Sequence, residues 1–463
     1  MDERLPVLRS APVPVEAYLS RFDWLLVSRS QRQALRDYVV ALLAPRERNK
    51  TLTALADTEP GRAGSMHPEA QRLQWFLSES CWDHEVLTDR RIAMMVADPR
   101  TCPHPQGALV LDDSGDRKSG HATAYVARQY LGSRGKIEEG IVAVTTAWAD
   151  ERVYYPLHTL PYQPACTLPG GKTDPEFATK GQLASRLVAR AVAAGVGFRA
   201  LVADCFYGPS ESPHFIDDLE AADIPYVVAL KPNVAIQGGT GPSATPAQAA
   251  AEVGFTSRSR PGRWRQITRR YRDGSTQTWW ATELALGRYG TTRARRLVVA
   301  TSDPKTLPAA STWYLATNLP HRRHRGGRPP ADLAEIVRLY GLRGWIEQDY
   351  KQVKQELGWA DFQVRSGRAI QRHWALVNIA FCFGWLQPDP IPPTTSTVPP
   401  GPPPQQGPPS WPQRLRQIRS YLTPLRDLQR LARAGALSLL TTQAAALVAN
   451  LNQGNGISLY LPP

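Results

Sequence analysis

The stretch Lys180–Gly208, KGQLASRLVARAVAAGVGFRALVADCFYG, changes its periodicity halfway along. Through Gly195 the apolar residues recur every three or four positions, the spacing of one helix face. They then run together as FRALVA, which suits a short strand buried on both sides, and the run stops at Asp204. A helix feeding a buried strand is the repeating unit of an α/β fold. A second unit follows at once, with PHFIDDLEAAD as helix and IPYVVALKP as strand.

Upstream, from Ala108, three β-rich runs (ALVLDD, ATAYVARQYLG and GIVAVTTAWAD) are separated by Gly, Ser and Lys turns. Short connections of this kind predict an antiparallel meander. Residues 1–105 read as a helical region instead, because FDWLLVSRSQRQALRDYVVALLA and EAQRLQWFLSESCWDHEVL carry helical apolar spacing. Downstream, residues 238–320 break the α/β rhythm. WRQITRRYRDGSTQTWWATELAL, with Asp273-Gly274 as a hairpin turn, RRLVVATSD and TWYLATNLP predict a small β-sheet, inserted between core elements and separable from them. A basic loop, HRRHRGGRPP, leads into two further helical stretches. A proline-dense linker over 387–412 and a basic helical region over 413–463 complete the chain. No internal repeat is evident.

The 463 residues carry 55 Lys and Arg against 41 Asp and Glu, a net charge of +14, and the pI is near 9.7. Such a balance asks for an anionic polymer as partner, nucleic acid before a membrane surface. No segment approaches the roughly 20 apolar residues of a membrane span, and the charged start MDERLPVLRS lacks a signal peptide's apolar core. Five scattered cysteines predict reduced thiols and a cytoplasmic protein. Cys81, His84, Cys102 and His104 can be drawn as a zinc site, but their spacing is irregular and the segment reads helical.

The chemistry concentrates in Tyr340–Gly358, YGLRGWIEQDYKQVKQELG. On a continuous helix of about 100° per residue, Arg343, Glu347 and Lys354 fall at about −60°, about −20° and about −40° from Tyr340, on one narrow face. Ile346, Tyr350, Val353 and Leu357 form an adjoining apolar face, which places the charged stripe at the rim of a cleft. Taken singly, this is the pattern of a solvated helix face with incidental ion pairs. Asp112 and Asp113 close the first apolar strand, and Asp204 closes the strand after the first core helix. An acid at a strand end is commonly a turn former or cap. Acids delivered by two strand ends and a helix suit phosphodiester chemistry, in which carboxylates hold two hard divalent cations about 4 Å apart.

Tyr340, Arg343, Glu347 and Lys354 match the Y, R, E, K signature of DDE transposases from bacterial cut-and-paste insertion sequences. LVLDDSG, VARQYLGSRGKIE, VADCFYG, WYLATNLP and VRSGRAIQRHWAL also resemble that superfamily's motifs in order and flavour, over about residues 105–386. The resemblance implies an α/β, ribonuclease H-like mixed sheet flanked by helices. The catalytic core would comprise 106–237 and 321–386, the β-rich, arginine-rich insertion 238–320, with the helical N-terminal region (1–105) and the helical C-terminal tail outside it. It further implies a transposase that binds terminal inverted repeats as double-stranded DNA, cleaves with two Mg²⁺ ions, for which Mn²⁺ can substitute, and joins 3′ ends to target DNA. A homodimer would assemble in the synaptic complex, in a bacterial, nucleoid-associated setting, with no membrane involved.

By the same resemblance Asp112 or Asp113, Asp204 and Glu347 are the catalytic acids, with Asp112, Asp204 and Glu347 as the metal set. Alignment by the hydroxyl residue Ser114 leaves the choice between the neighbours Asp112 and Asp113 open. Arg343 and Lys354 would hold phosphate and Tyr340 would contact the same strand. The insertion's Arg263, Arg265 and Arg269, among other arginines, are interleaved with aromatics in a manner suited to phosphate contact and base stacking. In relatives a tryptophan of the insertion holds a flipped base, which makes Trp264, Trp279 and Trp280 candidates; each equally suits the core of a small sheet. Two rival readings are a catalytically inactive, domesticated DNA-binding regulator and a ribonuclease H-like nuclease that moves no element. Intact acids speak against the first, and the large insert with the signature helix against the second.

Overall fold

A computed structural model describes residues 13–120, 122–235, 245–271, 274–284, 295–321, 328–387 and 409–433. Most of the proline-dense linker, the C-terminal region after 433, most of the basic loop at 321–330, Arg272 and Asp273 lie outside the described residues. Two compact units emerge. One comprises Met1–Cys102, Ala122–Ala124 and Tyr350–Pro463, the other Pro103–His121 and Tyr125–Asp349.

The first unit is helical. Its central helix, Gly367–Leu386, is buried along nearly its whole length, as expected of a helix that is apolar all round. The helices Arg29–Leu43, Pro68–Ser78, His84–Ala97 and Trp411–Arg433 pack on it. Sequence spacing had grouped this helix with the second part of the core; its packing partners are these helices. The first of them starts at Ser28, whose hydroxyl accepts from the Gln31 amide while the Gln31 side chain accepts from the Ser28 amide. This reciprocal cap satisfies two donors that the helix cannot. Among the described residues no helix is long and apolar enough to cross a membrane.

The second unit is built on one mixed sheet flanked by helices. Its strands are β1 (Ala108–Arg117), β2 (Ala127–Leu131), β3 (Lys136–Ala149), β4 (Tyr154–Tyr162), β5 (Ala200–Ala203), β6 (Tyr226–Ala229), β7 (Arg265–Arg270), β8 (Thr276–Leu284), β9 (Arg296–Thr301) and β10 (Thr312–Thr317). Along the sheet the order is β2-β3-β1-β5-β6-β10-β9-β8-β7, and β4 also pairs with β3. β1 is antiparallel to β3 and parallel to β5, which is parallel to β6.

The meander therefore differs from the expected one. The short β2 pairs only with the first residues of β3, and β4, which the sequence pattern did not reveal, runs along the rest. Pro156 and Pro161 lie within β4; proline removes a ladder donor, and such a strand is tolerated at an edge. The segment 238–320 is not a separate sheet either. β10 pairs with β6 and carries β9, β8 and β7 outward in turn, so the insertion prolongs the sheet that bears the acids.

Two helices cover the strands that matter for the site. Lys180–Ala193 packs on β3 and β4, and Leu333–Gly341 packs on β5 through β9. The first is capped by a Thr179–Gln182 box and the second by Asp332, whose carboxylate accepts from the Glu335 amide.

Candidate active site

Parallel pairing brings two acids together. Leu111 of β1 is the register partner of Ala203 of β5, so the next residues, Asp112 and Asp204, stand side by side at the same level. β5 ends there, but β1 runs on to Arg117 along β3, so Asp112 and Asp113 do not close their strand as the apolar run suggested. Neighbouring strands lie about 4.8 Å apart. Side chains alternate along a strand, which turns Asp113 to the other face. The contacts follow that division. Asp112 faces Arg343, whose Nη2 lies 3.8 Å from Asp112 Oδ2. Asp113 accepts from Lys180 Nζ at 2.8 Å and from the Tyr207 hydroxyl at 3.4 Å. Asp204 Oδ1 accepts from the Phe206 amide at 3.0 Å, so the acid also caps the turn that follows β5.

Burial and mutual repulsion raise the affinity of these acids for protons. Burial, followed by the neighbouring charges of Asp204 and Asp113, pushes Asp112 up to about 7 against the pull of Arg343. Asp204 is raised for the same leading reason. Burial thus disfavours the charged form of both acids, and Arg343 is the neighbour that favours it most.

The segment Tyr340–Lys354 is not one continuous helix. Leu333–Gly341 ends, Leu342 and Arg343 make a turn, and Gly344–Gln355 begins. Tighter bonds three residues apart bridge the break, from Arg343 N to Tyr340 O, Trp345 N to Leu342 O and Ile346 N to Arg343 O. The angles expected for an unbroken helix do not apply across it. Arg343 nevertheless reaches Glu347, donating from Nη1 to Oε1 at 2.5 Å. Burial opposes its charge, but Asp112, Tyr340, Asp204 and Glu347 together hold the guanidinium above its ordinary range. Arg343 Nε is buried with no hydrogen-bond partner among the described residues. The expected apolar face is real: Ile346, Tyr350, Val353 and Leu357 are all buried.

Tyr340 is half-buried, with its ring edge-on to Trp313 at 4.9 Å, and burial raises its hydroxyl pKa. Glu347 is more than half exposed. Lys354 belongs to the helical unit, beyond the boundary at Asp349, and its ammonium lies 5.7 Å from the Tyr350 ring.

The insertion's residues divide sharply. Trp264 is 1 % exposed and sits with Trp280, Leu284, Leu297 and Val299 in one apolar cluster. Its ring offers no open face, which removes it from the DNA-contacting set in this arrangement: its aromatic area serves the core. Arg263 and Arg265 are exposed, the former donating to the Glu283 carbonyl at 2.8 Å. Arg269 stands in a cage of rings, 4.5 Å from Trp279, 4.6 Å from Trp313 and 5.0 Å from Tyr271. No acceptor partner of its guanidinium is found among the described residues, and burial lowers its pKa.

Lys180, Tyr207 and Trp313 escaped the sequence reading. A signal existed for Lys180, since a lysine directly after an N-cap threonine meets the positive end of the helix dipole and needs an acid to offset it. His104, drawn above toward a zinc site, pairs with Asp150 at 3.0 Å.

Among the described residues no three Asp, Glu, His or Cys side chains stand grouped to hold a metal ion as placed, Glu347 being engaged with Arg343. The chemistry of the donors fits a hard divalent cation all the same: the available ligands are carboxylate oxygens.

Residues 21–304, more than half of the chain, match the family described as DDE superfamily endonuclease. The chain is 31% identical over 294 residues to the probable transposase for insertion sequence element IS701 of Microchaete diplosiphon, an overlap of 64% of this chain and 68% of that one. Among solved structures it is similar to the piggyBac transposase in a synaptic complex with hairpin DNA, at 12% identity and a TM-score of 0.43, over 94% of this chain and 87% of that one.

Proposed function

The chain belongs to the DDE superfamily endonucleases, and on that premise we propose that it is a DNA transposase: it cuts phosphodiesters at the terminal inverted repeats of its element and joins the freed 3′ ends to target DNA. The observation that carries this reading is Arg343, which lies 3.8 Å from Asp112 and donates to Glu347 at 2.5 Å, with Asp204 level with Asp112 on the neighbouring parallel strand. The similarity to a probable transposase supports it. The strand order β4-β3-β1-β5-β6, with only β3 antiparallel to the others, supports a ribonuclease H-like reading of that half of the sheet.

Asp112, Asp204 and Glu347 would hold Mg²⁺, with Mn²⁺ as substitute. Divalent cations bound there would supply charge to the attacking and leaving oxygens of the phosphodiester. Arg343 places a guanidinium beside the acids, where it would grip a phosphate oxygen of the strand being cut. Tyr340 lines the same edge. Arg263, Arg265 and Arg269 extend the positive surface along β7, and Lys354 adds a further phosphate contact. In the synaptic complex two copies of the chain would each hold one transposon end.

The test is cleavage of a terminal-repeat duplex by the purified protein in Mg²⁺, with Asp204→Asn alongside. Strand cuts at the repeat boundary that vanish in the variant support the proposal. Equal cutting by both proteins, or none by either in Mg²⁺ or Mn²⁺, would overturn it.

A further inference from the structure

Two neighbouring acids lie midway along β1, and the structure treats them differently. Asp113 accepts from Lys180 Nζ at 2.8 Å and from Tyr207 at 3.4 Å. Asp112 makes its charged contact with Arg343 at 3.8 Å. Lys180 is well confined: its side chain is 14% exposed, and its ammonium lies 4.9 Å from the Phe206 ring and 5.7 Å from that of Tyr162. It opens the helix Lys180–Ala193 directly after the Thr179 cap, where a positive charge is disfavoured by the helix dipole. A nearby carboxylate offsets that cost, and Asp113 is the one supplied. Both aromatic walls restrict the ammonium to this side.

We infer that Lys180 is a positioning residue which withdraws Asp113 from the acid cluster, leaving Asp112 as the neighbour that acts with Asp204. The inference rests on the metal-binding reading proposed above. Asp113 is tied to the helix by Lys180 and to the turn after Asp204 by Tyr207, so its carboxylate is spent on holding β1, β5 and the helix together. Its backbone amide meanwhile donates to Asp112 Oδ1 at 2.8 Å, which orients the acid that remains. Lys180 thereby sets Asp113 apart from Asp112 as a cation ligand.

A double-mutant cycle tests this through Mn²⁺ binding to the DNA-free protein, read by electron paramagnetic resonance. With Asp113 present, Lys180→Met releases a carboxylate and raises Mn²⁺ affinity by about tenfold. In an Asp113→Asn background the same change has little effect, and Lys180→Arg keeps the wild-type value. The slope of log DNA affinity against log salt stays at the wild-type value in Lys180→Met. Equal gains in both backgrounds would mean a general charge effect and would overturn the inference, as would unchanged Mn²⁺ affinity. A salt slope reduced by about one would make Lys180 a phosphate contact instead. Should Lys180→Met not fold, Lys180→Gln takes its place in the cycle. Asp204→Asn is the control: if it binds Mn²⁺ like the wild type, the metal reading itself fails, whereas loss of binding there with an additive cycle sinks only the role of Lys180.

Discussion

Asp112 and Asp204 stand level on neighbouring parallel strands, because Leu111 and Ala203, the residues before them, are register partners. Adjacent carboxylates on neighbouring half-buried strands repel one another, and burial adds to the cost of charging them. Such an arrangement persists in a stable fold when a cation offsets it, and here Arg343 is the protein's own contribution. Asp112→Asn is expected to abolish cleavage of a terminal-repeat duplex, and Asp113→Asn to retain part of it. A reversed order of activities would move the ligand role to Asp113.

Glu347 and the cations near it should separate by salt dependence. Arg343→Ala and Lys354→Ala are each expected to weaken duplex binding and to lower the slope of log affinity against log salt by about one. Glu347→Gln removes a charge proposed to serve metal, so cleavage disappears while the slope is kept. Equilibrium titrations at several salt concentrations give the answer. Wild-type slope in Lys354→Ala together with a lowered slope in Glu347→Gln would contradict the division.

Trp264 makes a statement about stability. A fully buried tryptophan in the cluster with Trp280 and Val299 leaves a large cavity when truncated, and Trp264→Ala should cost about 3–5 kcal/mol. Urea denaturation measures it. A loss under about 1 kcal/mol would show that the ring is not needed by the core and would return it to the candidates for base stacking.

Arg269 is expected to behave as a phosphate contact held ready by its three rings. Arg269→Ala should weaken duplex binding and reduce the salt slope by about one, with thermal stability falling modestly through lost ring packing. Undiminished binding would assign the arginine to the cage alone.

Deleting 238–320 is expected to leave an insoluble chain rather than a trimmed core. β6 has four buried residues and gains its second neighbour from β10, so the deletion bares a flat apolar edge open to pairing with other chains. The soluble fraction on expression is the readout. A soluble, cooperatively melting deletion protein would show the insertion to be dispensable for the sheet.

Local pattern was enough to point to the family. Apolar runs that stop at Asp112 and Asp204 mark buried strand segments that deliver acids, and the spacing of Tyr340, Arg343, Glu347 and Lys354 marks helical sequence. Both signals depend on residues only a few positions apart, and such periodicities survive in a linear reading. Where distant segments meet, the linear reading had no purchase. The parallel register of β1 with β5 selects Asp112 over Asp113 as the partner of Asp204. Lys180 finds Asp113 across 67 positions. Trp264 and Trp280 turn inward only because β7 to β9 are joined to β6 through β10, which gives that sheet a face to cover. β4, which no local pattern announced, becomes a strand by pairing with β3. Each of these outcomes is set by packing between segments far apart in the chain, where the free energy of burial and pairing exceeds local preference.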